Sequence, residues 1–306
     1  MTQVAAYPQS EETNLTPGRL KGFALVLLAA VLWGTLGIFY KTLMGVYGLS
    51  PLTIAFFRAA FSALFLLVGL SVSRPHWLRI EWRDLPLLLG FGLFGVAAFF
   101  FVYVNAIDRV GMAVGAVLLY TAPAWVTIIS WRFLGEPITP SQWLALALAF
   151  VGCALVAGIY DLDRIRLNGP GILFGLASGL TYGLYSVFNK AGVRKYPPWT
   201  ILFYGMLVGA LMLLLAQDLT EIKRALGSSA TVAWLVALAL LPTLGSGLAF
   251  ATGLRFVPVS AASVVANLEP VVATILAYLI LGEVMAGWQI VGGVLVITGA
   301  FISSQS

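Results

Sequence analysis

Apolar residues form long runs that recur from residue 22 to residue 303. Each run has about 18–22 residues, enough to cross a hydrocarbon layer of roughly 30 Å as a helix that rises about 1.5 Å per residue. The runs are about twice as long as barrel strands and lack strict alternation. The pattern therefore predicts an all-α integral membrane protein. The ten predicted spans are 22–40, 52–72, 85–105, 112–133, 142–159, 170–189, 199–217, 231–251, 260–281 and 287–303.

Composition agrees with this interpretation and leaves no segment long enough for a soluble domain. Of the 306 residues, 60% are hydrophobic and 9% are charged, whereas soluble proteins contain about 25% charged residues. Residues 1–20 are largely polar and predict a disordered cytoplasmic N-terminus. They lack the basic start of a cleavable signal peptide, so we expect the first apolar run to remain in the mature protein.

Basic residues are unevenly divided between the two sets of loops. With ten spans both termini lie on one side, which collects ten Lys and Arg residues against six on the other, and Arg58 is left inside a span. Because positive charge marks cytoplasmic loops, the count predicts cytoplasmic N- and C-termini in a bacterial inner membrane. The net charge of +5 therefore reflects orientation and does not indicate a nucleic-acid partner.

The second half of the chain repeats the first. Residues 22–41 (GFALVLLAAVLWGTLGIFYK) align without a gap with residues 171–190 (GILFGLASGLTYGLYSVFNK). A second set of matches, 147 positions apart, pairs Pro123 with Pro270, Gly135 with Gly282, Glu136 with Glu283, Gln142 with Gln289 and Gly152 with Gly299. One five-helix unit is thus predicted twice, over residues 21–160 and 168–303. Because five is odd, the copies are inverted, as in many secondary transporters, although duplication without transport is the alternative.

The ordered motifs resemble those of a known transporter family. They are Trp-Gly at 33–34, FRAAFSALFLL on the second span, Ala-Pro and Glu-Pro at 122–123 and 269–270, and LGE at 134–136 and 281–283. Over residues 20–303 this set looks like the EamA family of the drug/metabolite transporter superfamily, and most like its bacterial exporters of aromatic and other amino acids. The resemblance implies ten helices in a 5+5 inverted repeat, with a central path lined by helices 1, 3, 4, 6, 8 and 9. It also implies gates at the hairpins of helices 3–4 and 8–9.

Glu269 is a carboxylate near the middle of the ninth predicted span. An ionisable group at that depth is costly and is a functional candidate. Pro270 weakens the helix beside it, and Pro123 supplies the matching break in the first half, where Ala122 replaces the glutamate. An ideal helical wheel turns Glu269 away from the polar stripe that contains Asn267. Two interpretations stay open, a structural or protonated hydrogen-bonding group and a substrate or proton site.

Arg58 is the other charge inside a predicted span, about 10 Å from its start by helical rise. The sequence allows it to pair with Glu269 or Glu283, or to extend to the membrane interface. A structural role is favoured, because an arginine is always charged and makes a poor proton carrier.

Aromatic and amide residues at related positions of the repeat predict a substrate path. Rings, amides and hydroxyls of this kind suit aromatic or amphipathic solutes and can hold an ammonium group against a ring face. Helix packing and an interfacial aromatic belt are the alternatives. The predicted substrate-binding residues are Trp33, Tyr40, Tyr103, Tyr120, Tyr182, Tyr185, Asn189 and Asn267, and the predicted gating or coupling residues are Pro123, Glu269 and Pro270.

No motif for a cofactor or metal is present in the sequence. It lacks a phosphate-binding loop, an H-E-x-x-H element and a Cys/His cluster, so a gradient must supply the energy. The predicted function is secondary export of small organic solutes, chiefly amino acids, by alternating access. A broad exporter of amphipathic drugs or other metabolites is the alternative. An intramembrane enzyme is disfavoured because Glu269 and Arg58 are the only charges within the spans away from their ends, and the repeat argues against a receptor or scaffold. The predicted partners are a small-molecule substrate and the lipid bilayer, with a homodimer left open.

Overall fold

The computed structural model describes residues 16–161, 168–282 and 284–305, and within these ranges all regular structure is helical. Glu283 and residues 1–15 of the predicted disordered N-terminus lie outside them, whereas Pro17 begins the first helix. The α-helices are α1 Pro17–Gly34, α2 Leu36–Gly45, α3 Pro51–Ser73, α4 Leu85–Gly90, α5 Phe99–Leu119, α6 Ala122–Leu134, α7 Pro140–Val156, α8 Gly169–Val193, α9 Pro198–Leu214, α10 Leu219–Leu226, α11 Ser229–Leu238, α12 Ser246–Gly253, α13 Val259–Ala266, α14 Glu269–Leu281 and α15 Gly287–Gln305. Gly111, with φ 80°, interrupts α5 between the third and fourth predicted spans. Short 3₁₀ turns (Pro75–Leu78 and Trp82–Asp84) precede α4, and π-helical segments Phe91–Ala98 and Ala239–Gly245 join α4 to α5 and α11 to α12.

Several helical segments are long and apolar enough to cross a membrane. The seven in the described residues are Pro17–Gly45, Pro51–Ser73, Trp82–Leu119, Gly169–Val193, Ser229–Gly253, Val259–Ile280 and Gly287–Gln305. Helices α7 and α9 are also apolar but have 17 residues each. Each of the predicted spans falls largely on helical structure, so the helical character read from the apolar runs is confirmed.

Short polar residues before a proline set the start of several helices. The side-chain oxygens of Thr16, Ser50 and Thr139 each accept a hydrogen bond from the backbone amide three residues later, and a proline occupies the first helical position. This pairing satisfies an otherwise free amide and places proline where its missing N–H costs nothing. At the other end, α6 and α14 both end at a left-handed glycine, Gly135 with φ 73° and Gly282 with φ 68°. The two predicted Leu-Gly elements are therefore equivalent helix ends.

Helices α7 and α15, which match each other in the repeat, pack with their backbones in contact. A Cβ atom added at Gly152 would lie 2.6 Å from the carbonyl oxygen of Gly292, and one added at Gly292 would lie 2.6 Å from that of Gly152. A Cβ at Gly299 would lie 2.8 Å from the carbonyl oxygen of Ala145. Small residues are what allow helices to approach this closely within a membrane.

Helix breaks lie at matching positions of the two halves. Tyr120 and Thr121 separate α5 from α6, and Asn267 and Leu268, 147 positions later, separate α13 from α14. The predicted break-point prolines, Pro123 and Pro270, are accordingly the second residues of α6 and α14 rather than interior residues of continuous helices. The breaks end one helix and begin another, and they set the direction of the side chains that follow.

Candidate substrate cavity

A cavity lies between helices of both halves. Its wall contains Trp33 of α1, Arg58 and Ala59 of α3, Gly95 and Val96 of the first π-helical segment, Phe99 and Phe100 of α5, Tyr182 and Tyr185 of α8, Met206 of α9 and Thr243 of the second π-helical segment. Rings make up much of this wall, and it holds one charged side chain. Such a lining, apolar with a few polar groups, is typical of a small-molecule site.

The aromatic part of the wall is built from rings in mutual contact. The ring centre of Trp33 lies 6.4 Å from that of Tyr182 and 6.3 Å from that of Tyr185, both edge to face. Phe99 stacks on Tyr182 at 5.3 Å and on Tyr103 at 5.7 Å. Packed rings fix one another's orientation, so the cavity offers a solute preformed aromatic faces and edges.

Arg58 supplies the cation of the cavity. Its Nε donates a hydrogen bond of 2.8 Å to Thr243 Oγ1, and its guanidinium carbon lies 5.2 Å from the ring centre of Phe100. Thr243 in turn donates to the carbonyl oxygen of Leu238 at 2.8 Å, across five residues of the π-helical region. Within the described part of the chain, Arg58 forms no salt bridge. The ion pair with Glu269 that the sequence left open is therefore not formed.

Glu269 reaches the cavity wall through Tyr182. It is the first residue of α14 and is half-buried, and its Oε2 accepts a hydrogen bond of 3.2 Å from the Tyr182 hydroxyl. Arg58 acts on it electrostatically without direct contact. Because α13 has ended before Glu269, a wheel drawn from Asn267 onward as one ideal helix does not describe its direction. The structure directs the carboxylate toward α8.

Asn267 and Tyr120 lie elsewhere, beside the fifth and tenth predicted spans. Both are buried near Cys153, whose thiol donates to the carbonyl oxygen of Asn267 at 3.7 Å. Tyr120 packs in one cluster with Cys153 and Val296. These two predicted path residues are equivalent in the repeat, and neither belongs to the wall of the cavity.

The remaining predicted residues surround the cavity at greater distance. Tyr103 stacks on Phe99, and the Tyr40 hydroxyl interacts with Arg58 through its charge and through a hydrogen bond. Asn189 is fully buried and donates to the carbonyl oxygen of Tyr185 at 3.0 Å, so it supports the α8 backbone. Of the eight predicted substrate-binding residues, Trp33, Tyr182 and Tyr185 are brought together in the cavity wall.

Sequence reasoning assigned no site role to several wall residues. A charge at membrane depth is a sequence signal for a functional residue, and Arg58 has it, but the sequence analysis favours a structural role. Thr243 also has a sequence signal, because Pro242 precedes it within an apolar span. Phe99 and Phe100 are part of a three-phenylalanine run that does not by itself distinguish a cavity face from a lipid face.

Two further contacts tie together the end of the molecule that was predicted to be cytoplasmic. The buried carboxylate of Glu136 accepts hydrogen bonds from Val259 N at 2.8 Å, Ser260 N at 3.0 Å and Ser260 Oγ at 2.6 Å. The ammonium group of Lys190 donates to the carbonyl oxygens of Leu254 and Val257 at 2.6 and 2.7 Å. The start of α13 is therefore attached to the loop after α6 and, through the preceding turn, to the end of α8.

Comparison with known proteins agrees with this architecture over nearly the whole chain. Residues 20–158 and 169–305 each match the model of the EamA-like transporter family. A solved crystal structure superposes with a TM-score of 0.76 at 20% sequence identity, covering 93% of this chain and 96% of that one. At that identity the likeness shows a shared fold.

Three curated relatives extend the comparison. An uncharacterized transporter of Archaeoglobus fulgidus is 31% identical over 92% of this chain and 96% of its own. A probable amino-acid metabolite efflux pump of Salmonella typhimurium is 30% identical over 93% of this chain and 95% of its own. A probable terminal-alkyne amino-acid exporter of Streptantibioticus cattleyicolor is 26% identical over 92% of both chains.

Proposed function

The chain belongs to the EamA-like transporter family, and from this membership and the aromatic cavity we propose that it exports amino acids, aromatic ones among them, across a bacterial inner membrane. Its family and relatives are transporters, which are not enzymes. The substrate class rests on one observation: packed rings and a guanidinium without an ion-pair partner among the described residues share a single wall. Rings suit an apolar side chain or an ammonium group, and a guanidinium suits a carboxylate.

We further propose ten spans in a 5+5 inverted repeat with both termini cytoplasmic. Two family matches in one chain support the duplication. The helix packing supports the symmetry: α1 packs on α12 as the repeat-related α8 packs on α5, while α3 packs on α9 and α7 on α15. Two halves related in this way can exchange conformations, which gives inward-open and outward-open states of similar energy.

In this scheme the helices move at their breaks, and the contacts at the cytoplasmic end open and close. The breaks before Pro123 and Pro270 let the two parts of each span move separately. Glu136 and Lys190 hold the cytoplasmic end closed, because they attach the start of α13 to its neighbours. Glu269 is the proposed coupling group, since its carboxylate touches the cavity wall and no salt bridge fixes its charge within the described residues.

A measurement in cells tests the substrate class. Cells that overproduce the protein are loaded with radiolabelled aromatic, branched-chain or acidic amino acids, or with an amphipathic cationic drug. We expect faster release of the aromatic and branched-chain amino acids than from cells carrying an empty vector. Faster release of the drug alone would contradict this proposal and favour a broad drug exporter, a function with which the apolar wall is also compatible.

A further inference from the structure

Arg58 is a permanent charge at membrane depth without a protein counter-ion in the described chain. It lies seven residues after the start of α3, about 10 Å along the helix, and its side chain reaches the cavity wall. A guanidinium carries five N–H donors. Thr243 accepts one hydrogen bond from it, and the Tyr40 hydroxyl also lies within hydrogen-bonding reach, but both of these groups are neutral. The described residues thus offer the group neutral hydroxyls and no carboxylate within salt-bridge distance.

An unpaired charge in this environment is expensive. Moving a cation out of water costs several kcal/mol unless an anion and hydrogen bonds compensate, and intramembrane arginines almost always have partners or face a water-filled cavity. The surroundings of Arg58 otherwise hold it in place: Phe100 covers it at 5.2 Å, and Thr243 is itself anchored to the Leu238 carbonyl. A group that is held this firmly and left without a protein anion is suited to an anionic ligand.

We propose that Arg58 binds the carboxylate of the transported solute, and that Trp33 and Tyr182 receive its ammonium group or apolar side chain. This assignment rests on the proposed export of amino acids and names the solute group that selects them. Planar guanidinium and carboxylate groups match in a two-point hydrogen-bonded geometry that a lysine does not reproduce. The cavity therefore distinguishes α-amino acids from amines of the same shape.

Solutes that differ by one group test the assignment. Purified protein in liposomes is assayed for uptake of L-phenylalanine, of phenethylamine, which lacks the carboxylate, and of 3-phenylpropionate, which lacks the ammonium group. The variants are Arg58→Gln, Arg58→Lys and the matched control Arg74→Gln. Arg74 follows the same helix but is exposed and contacts Trp77 outside the cavity.

We expect wild type to take up phenylalanine in preference to phenethylamine. Arg58→Gln should lower kcat/KM for phenylalanine about tenfold or more, because glutamine cannot form the charge-assisted hydrogen-bonded pair with the carboxylate. Its uptake of phenethylamine should be unchanged or improved, which also shows that the variant is folded. Arg58→Lys should fall between wild type and Gln, through a raised KM, and Arg74→Gln should match wild type.

The outcomes separate this assignment from the proposed function. Wild type that prefers phenylalanine, together with an Arg58→Gln variant that keeps this preference or loses both uptakes equally, overturns the assignment alone. Wild type that moves neither phenylalanine nor 3-phenylpropionate overturns amino-acid export and the assignment with it. If Arg58→Gln is not recovered folded, Arg58→Lys decides: an unchanged KM for phenylalanine overturns the assignment.

Discussion

Glu136 is the residue whose replacement should most clearly loosen the proposed cytoplasmic closure. It is 9% exposed, and its carboxylate accepts three hydrogen bonds at the start of α13, two from the backbone amides of Val259 and Ser260 and one from the Ser260 hydroxyl. The start of a helix carries free amides and a partial positive charge, so a carboxylate there acts both as a cap and as a counter-charge.

The expected magnitude follows from the groups that lose their partner. Each buried amide left without an acceptor costs about 1–3 kcal/mol, so Glu136→Ala, which leaves two, should destabilise the closed arrangement by about 2–6 kcal/mol. Glu136→Gln keeps one acceptor oxygen of similar shape but loses the charge. We therefore expect it to lose roughly half as much, since one of the two amides can stay paired.

A buried cysteine reports the effect on closure. Ser263 lies one turn into α13 and is 5% exposed, so a Ser263→Cys reporter in a Cys153→Ala background should react slowly with a thiol reagent. Labelling should speed up in Glu136→Gln and further in Glu136→Ala, and the thermal midpoint in detergent should fall in the same order. Glu81→Gln is the matched control, because the Glu81 side chain is 64% exposed. Equal labelling rates and midpoints in Glu136→Ala and its parent would refute the reasoning.

Three further changes test other parts of the structure. Gly152→Ala places a Cβ 2.6 Å from a backbone oxygen of α15 and should lower the free energy of unfolding by about 1–3 kcal/mol. The control Gly45→Ala, whose Cβ meets nothing within 4 Å, should leave it unchanged. Equal denaturation midpoints for the two variants would contradict the close packing. Glu269→Gln should keep downhill solute exchange but lose stimulation by a pH gradient in liposomes, and an intact pH response would contradict the proposed coupling role. A hydrogen bond from the Ser50 amide lowers the pKa of Glu221 from its ordinary 4.5, so this contact stabilises the protein above about pH 4.5 and is lost as the pH falls through the lowered pKa. Glu221→Gln should therefore flatten the loss of thermal stability on acidification, and an unchanged acid profile would contradict the contact.

Much of the fold can be predicted from the sequence because its determinants are local. Long apolar runs predict helices wherever they occur. Thr16-Pro17 is a capping signal for a helix start, but the sequence prediction assigned residues 1–20 to a disordered segment, whereas α1 begins at Pro17. The matched glycines at 135 and 282 became equivalent left-handed helix ends. The family resemblance is confirmed by the match over both halves. These features depend on neighbours in the chain and not on how helices meet.

The cavity was harder to predict, because its wall depends on where helices break. The wheel that grouped Asn267 with other polar residues assumes one continuous helix, whereas α13 ends at Ala266 and Asn267 lies beside Cys153. The π-helical segment that places Thr243 against Arg58 has no strong sequence signature apart from Pro242. Propensity and periodicity describe regular helices, and the wall is assembled where helices are irregular.

Counterflow of phenylalanine in liposomes tests the central claim most directly. Vesicles that contain the purified protein are loaded with unlabelled phenylalanine and diluted into a trace of labelled phenylalanine. The account predicts transient accumulation of label in these vesicles, none in protein-free vesicles, and inhibition by unlabelled aromatic amino acids but not by phenethylamine at the same concentration. Label that fails to accumulate, or inhibition by phenethylamine as strong as by phenylalanine, would contradict a carrier that recognises amino acids through their carboxylate.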